Sequence, residues 1–143
     1  MAYKNGHTMR LYELSDMGIK PNSILDIGAH TGQFHSWAKS EWPDAKIFMV
    51  ESNELHRGTL DRLAMMNGDD YLIAALGDEE REVTFYTRSD KPHTEGNSYY
   101  KEADYWDIPQ LVKESKVKLQ KLDNIFEDDI VFELIKVDTQ GSE

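Results

Sequence analysis

The chain carries Ile24-Leu25-Asp26-Ile27-Gly28-Ala29-His30-Thr31-Gly32-Gln33-Phe34, and the reading of this stretch decides the fold. Ile24 to Ile27 is apolar apart from Asp26, the pattern of a parallel strand buried on both faces. Gly28 and Gly32 follow, and a helix is predicted from Gln33. A strand that stops at glycine and restarts as a helix lets a ligand come close to the backbone. The helix N-terminus then favours an anion or an electron-rich group. The spacing is D-x-G-x-x-x-G, and His30 stands where the G-x-G-x-x-G of dinucleotide enzymes has its second glycine. Taken alone, the glycine pair reads as an ordinary strand-to-helix turn, so the surrounding segments have to decide.

Upstream, Thr8 to Met17 is predicted helical, with Leu11, Leu14 and Met17 on one stripe and Gly18 as the stop. Pro21-Asn22 turns the chain into the first strand. Downstream, a helix runs from Gln33 to about Glu41, with Phe34, Trp37 and Ala38 inward and Pro43 just beyond it. Ala45 to Val50 is a second strand, ending at Glu51. Ser52 or Asn53 caps a helix reaching to about Ala64, with Leu55, Leu60 and Leu63 available for packing. Asn67 to Asp70 is turn chemistry, and Tyr71 to Leu76 is a third strand closed by Gly77-Asp78. Two successive βα units with short links predict a parallel α/β sheet with right-handed crossovers.

Beyond Asp78 the pattern changes. Val83 to Thr87 and Val117 to Gln120 alternate, as half-exposed, antiparallel strands do. Arg88 to Ser115 lies between them, with a helix predicted near Pro109 to Glu114; a connection this long is expected to be functional or mobile, with Arg88 to Trp106 as a lid that orders on ligand binding. The acidic turn Glu127-Asp128-Asp129 precedes the last core strand, Leu134 to Asp138.

Composition bounds the function. The chain has 143 residues, enough for one domain with a core, and no cysteine, which excludes disulfides and thiolate chemistry. A net charge of −11 repels phosphate backbones and anionic lipid, so neither nucleic acid nor membrane is an expected partner. No stretch resembles a signal peptide or a membrane span, and a cytoplasmic setting is the default. The five histidines show no ligand spacing, and no metal site is expected.

In a doubly wound sheet, ligands bind beyond the carboxyl ends of the strands. The sequence places Gly28 to Gly32, Glu51, Leu76 to Asp78 and Asp138 at four such ends. Glu51 lies at the expected distance after the glycine turn to accept both hydroxyl protons of a ribose. Glycine turn and acid together point to a nucleoside-containing ligand.

These residues also carry a resemblance. Asp26-Ile27-Gly28-Ala29-His30-Thr31-Gly32 resembles motif I of class I S-adenosylmethionine-dependent methyltransferases. More narrowly, the chain resembles the FkbM family from about Ser23 to its last residue. The features are the glycine turn, Glu51, Gly96-Asn97-Ser98, Leu122-Asp123, and the closing run Ile135-Lys136-Val137-Asp138-Thr139-Gln140-Gly141-Ser142-Glu143. Ser52 departs from the proline common after the acid.

The resemblance implies a Rossmann-like class I methyltransferase sheet with strands in the order 3-2-1-4 and a β-hairpin insertion. It implies a single domain over 1–143 that lacks the family's C-terminal strands, as a truncated product would. The implied activity is methyl transfer from S-adenosyl-L-methionine to a hydroxyl of a sugar or other small molecule. Gly28, Ala29 and Gly32 would approach the cofactor's methionine end, Glu51 would hold its ribose, and Leu76, Gly77 and Asp78 would flank its adenine, with Asp26 and His30 also among the cofactor-binding residues. Asp138, His30 and Glu143 are the candidate catalytic residues. As loop aromatics, Tyr99, Tyr100, Tyr105 and Trp106 are expected to pack the lid onto the sheet, the other reading being that they close over an acceptor. Two other readings stand beside this one: a non-catalytic cofactor-binding or assembly module, and a nicotinamide-dependent oxidoreductase, against which the missing second glycine counts. A homodimer through the exposed sheet edge at Leu134 to Asp138 is also expected.

Overall fold

The computed structural model describes residues 10–90 and 107–139. The lid aromatics, Gly96-Asn97-Ser98 and Glu143 lie outside these residues, as does most of the expected lid.

Four parallel strands make the central sheet: β1 (Ser23–Ile27), β2 (Lys46–Glu51), β3 (Asp70–Ile73) and, last in the chain, β7 (Leu134–Val137). Their order is β3-β2-β1-β7, compatible with a Rossmann-like fold. Strand β1 is flanked on both sides, with Asp26 opposite Met49 of β2 and Lys136 of β7. Its apolar run follows from that position. Ile24 and Leu25 are wholly buried on opposite faces, and removing each such side chain from water contributes roughly 1.5–3 kcal/mol.

One face is covered by α1 (Leu11–Asp16), α2 (Gln33–Glu41) and α3 (Arg57–Asn67). Ile24, Ala38, Ile47, Met49, Leu60 and Ala64 form the core there, with Leu11, Leu14, Phe34 and Leu63 packed against it. The other face buries Leu25, Ile27, Val50 and Ala74 under Leu122, Phe126 and Phe132. Phe126 meets Phe48 and Phe132 edge-on, with ring centroids 4.8 and 5.0 Å apart.

The helices depart from expectation at instructive places. Met17 lies past the end of α1 and is exposed, as is Leu55, which falls in a 3₁₀ turn (Glu54–His56) before α3. Asn53 provides the expected cap by accepting a bond from the Leu55 amide (3.1 Å). On α2, Ala38 is buried as expected and so is His35, while Trp37 is only half-buried; His35 meets a buried carboxylate, that of Asp69, at 2.7 Å. Asp69 is more than turn chemistry. Its Oδ1 accepts the Ile47 amide (3.0 Å), and its Oδ2 also meets the Lys39 ammonium at 3.1 Å.

The expected third strand divides. Asp70–Ile73 stays in the central sheet, while β4 (Ala75–Leu76) leaves at Ala74 and pairs in parallel with β6 (Val112–Gln120). Strand β5 (Glu82–Arg88) pairs antiparallel with β6, Val83 opposite Val117. The helix expected near Pro109 to Glu114 is absent. A 3₁₀ turn spans Pro109–Leu111, and the chain is extended from Val112, because Val112 to Lys118 finds a strand partner in β5.

At the opposite end of the sheet, Glu133 fastens β7 to β1. Its carboxylate accepts the Asn22 amide (2.7 Å) and the Asn22 side-chain nitrogen (3.2 Å). These two donors hold the Glu133 carboxyl below its ordinary pKa. The stability they provide is therefore full above the ordinary carboxylate range and lost as pH falls through the lowered folded value. We predict that Glu133→Gln melts below the wild type at pH 6, and that the gap closes as pH falls towards 3. A gap that persists undiminished in acid contradicts this assignment.

Candidate functional site

The carboxyl ends of β1, β2 and β7 meet at the glycine turn. The Gly28 and Ala29 amides both donate to the Val50 carbonyl of β2, at 2.9 and 3.0 Å, and the Asp138 amide donates to Ile27 at 3.1 Å. Gly28 sits at φ +77°, and a Cβ built on it would collide with the Asp138 carbonyl oxygen. Glycine is required here because the turn and the end of β7 abut. The conformation adds to that demand, since side chains rarely adopt it. Gly32, at φ +79°, begins α2 and lies against α3, where a Cβ would strike Leu63. His30 between them is the one non-glycine residue with positive φ (+52°) among the described residues.

Glu51 joins this turn to the end of β2. One carboxylate oxygen accepts the His30 amide (2.7 Å); the other accepts the Asn53 amide (2.8 Å) and lies 3.4 Å from the Ser52 hydroxyl. The side chain is nearly buried, at 8% exposure. A carboxylate offers about four lone-pair sites, so capacity remains for a hydroxyl donor. The Glu51 carbonyl accepts the Ala74 amide (2.9 Å), which brings the β3–β4 junction to the same edge. The His30 ring packs against that of His56, centroids 4.3 Å apart.

Asp26 lies beneath the turn and is wholly buried. Lys136, its neighbour on β7, places its ammonium 3.0 Å from Oδ1, at angles that make the contact an ion pair more than a hydrogen bond. Burial pushes the Asp26 carboxyl above its ordinary pKa, against the opposing pull of Lys136.

The structure thus gathers Asp26, Gly28, Ala29, His30, Glu51 and Asp138 around one turn. The Asp138 side chain is exposed at this edge. Leu76 packs with Ile27 and Val50 on the second face, whereas Gly77 is drawn to β6, donating to Gln120 at 3.1 Å, and Asp78 projects into solvent. The turn differs from an open amide cradle: the amides of Gly28, Ala29, His30 and Gly32 all bond within the protein. The missing side chains at Gly28 and Gly32 make room for Asp138 and Leu63 of the protein itself. Sequence reasoning took Asn53 only as a helix cap, not as a donor to Glu51, and missed His56 and Lys136 at this site. Lys136 carried a signal, a lone lysine in an apolar strand. Among the described residues, no group of three or more acidic or histidine side chains is placed to hold a metal ion. No helix among them is long and apolar enough to cross a membrane.

The family model for the methyltransferase FkbM domain matches residues 26–143, from Asp26 of β1 to the last residue. The chain belongs to the FkbM methyltransferase family. No curated protein and no solved structure matches it. In this FkbM-family chain the match begins at the aspartate under the glycine turn, so turn, Glu51 and β7 all fall within it, and membership supports a methyltransferase activity.

We predict that Gly28→Ala destabilises the fold itself by at least about 2 kcal/mol, from backbone strain and the collision with Asp138. Gly68→Ala is the control. Gly68 shares the positive φ (+68°) but faces open space, so the cost should stay near about 1 kcal/mol. Denaturant titration checks both; equal losses would mean that the Asp138 contact does not matter. Gly28 therefore cannot serve as a pure binding mutant whose fold is untouched.

Proposed function

We propose that this chain is an S-adenosylmethionine-dependent O-methyltransferase of FkbM type, acting on a hydroxyl of a sugar or other small molecule. The observation that supports it best is the Glu51 carboxylate at the end of β2, held by two backbone amides beside the glycine turn. The residues present suit a nucleoside: Glu51 as a fixed acceptor for a hydroxyl pair, the Gly28 to Gly32 turn beside it, and the apolar Ala74 to Leu76 step alongside.

In this reading the fold is a class I methyltransferase sheet in a single domain, with β5 and β6 as an insertion. S-adenosylmethionine would supply a methyl group on a sulfonium, activated for in-line displacement. The protein's part is alignment and proton removal. Glu51 accepts from the ribose hydroxyls. Gly28, Ala29, His30 and Gly32 line the methionine end, and Leu76, Gly77 and Asp78 flank the base. Asp138 holds the acceptor hydroxyl, and His30 or Glu143 takes its proton. Two copies pairing through β7 belong to the same reading, supported by Ile135 and Val137, which remain exposed on that strand.

Calorimetric titration tests this. S-adenosylhomocysteine should bind saturably and NAD should not. Glu51→Ala should weaken binding by roughly 1.5–3 kcal/mol, the range for hydrogen bonds to a charged group. Saturable NAD binding without heat from the adenosyl ligand would overturn the proposal, and unchanged affinity in Glu51→Ala would remove the carboxylate from the ribose. For assembly, light scattering should give twice the chain mass of 16.5 kDa; a clean monomer would overturn the pairing.

A further inference from the structure

Lys136 makes a set of contacts that strand pairing does not require. Its backbone lies opposite Asp26 in the β1–β7 register, and its side chain reaches towards the turn at the end of β1. There the ammonium donates to the Gly28 carbonyl (2.7 Å) and, more weakly, to the Ile27 carbonyl (3.3 Å), while pairing with Asp26 at 3.0 Å. An ammonium has three N–H donors and no acceptor; two of them go to these carbonyls, and its charge faces Asp26. The Phe34 ring, on the first turn of α2, lies 5.8 Å from the charge.

The strongest of these contacts falls on the glycine turn, at the Gly28 carbonyl, and the other two hold Ile27 and Asp26 at the end of β1, where the turn begins. Gly28 has no side chain to limit its backbone, and Ile27 is the last residue of β1. Without the ammonium, the Gly28 carbonyl would lose this partner, and Asp26 would keep a wholly buried charge with no counterion beside it. Neither Asp26 oxygen has a partner of good hydrogen-bond geometry among the described residues, so Lys136 is its main compensation. The two hydrogen bonds from Gly28 and Ala29 to Val50 fix the turn from the β2 side. Lys136 fixes it from the β7 side.

We propose that Lys136 is a positioning residue of the ligand site, an ammonium that clamps the glycine turn from beneath, with Asp26 as its counterion rather than as a ligand contact. Lys136 touches neither acceptor nor cofactor in this assignment. It sets the path of Ile27 and Gly28, and through them the place of Ala29 and His30, whose amides meet Val50 and Glu51. Asp26, wholly buried, acts through Lys136. The proposal rests on the reading of the turn as the S-adenosylmethionine site, and it also makes a claim about the ligand-free chain.

The test uses the full chain with Lys136→Met, Lys136→Arg and the double variant Asp26→Asn/Lys136→Met. The double variant removes both buried charges together and guards against misfolding of the single one. Amide hydrogen exchange of the ligand-free protein is read at Ala29, His30 and Gly32, with Ile47 and Met49 as core references. In the double variant we expect exchange at the turn to rise by about tenfold or more while the references hold. S-adenosylhomocysteine affinity should fall by roughly tenfold or more. Lys136→Arg, which keeps charge and donors, should recover part of both. Turn exchange equal to wild type in the double variant would overturn the proposal, as would a loss spread evenly over turn and references. If the wild type fails to bind S-adenosylhomocysteine, the cofactor reading fails, and the exchange data still decide the clamp.

Discussion

The contact between Gly28 and the Asp138 carbonyl governs the shape of this molecule's working edge. Strand β1 can be followed by a tight turn only because a residue without Cβ stands where β7 ends. The same residue bends the chain back so that two successive amides reach one carbonyl, that of Val50. Three strand ends converge there, from segments far apart in the chain. Glu51 inherits its position from this convergence. Its carboxylate reaches His30 because the turn has been brought over the end of β2, and it reaches Asn53 because the chain leaves β2 into a short 3₁₀ turn.

Buried charge is the cost of this arrangement. Asp26 and Lys136 under the turn, and Asp69 with His35 and Lys39 beside α2, each place a carboxylate where water is absent. Pairing offsets the desolvation only in part, and an apolar replacement of such a pair is often neutral or stabilising. What the pairs contribute is position. The Asp69 carboxylate joins α2 to the start of β2 through His35, Lys39 and the Ile47 amide. Asp26 and Lys136 join β1 and β7 where the turn begins. Both sites specify the approach of elements that apolar packing alone would leave free to slide.

Much of this was legible in the sequence for physical reasons. Buried parallel strands need apolar residues on both faces, so Ile24 to Ile27 and Ile47 to Val50 announced themselves. Asn53 before a helical segment marked its beginning, although α3 runs on to Asn67, past the expected end near Ala64. The order of the signals placed Glu51 and Asp138 at strand ends, and there they are. The rest was hidden because it depends on partners remote in the chain. His35 faces inward, where the pattern pointed to Trp37, because Asp69 from a remote segment pairs with it. Strand β3 breaks at Ala74 because β6, more than thirty residues later, offers Ala75 and Leu76 a better partner. Pro109 to Glu114 fits a helix in isolation, yet its second half extends to pair with β5. The sequence showed why a glycine suits position 28 but not what it abuts.

The central claim is that the glycine turn and Glu51 together form the site for an adenosyl cofactor. Amide-resolved NMR of the labelled chain, titrated with S-adenosylhomocysteine, tests it most directly. The account predicts saturable shifts concentrated at Gly28 to Gly32, Glu51 to Asn53 and Ala74 to Leu76, with little change on the far end of the sheet around Asn22 and Glu133. Shifts that centre elsewhere, or none at saturating ligand, would contradict it.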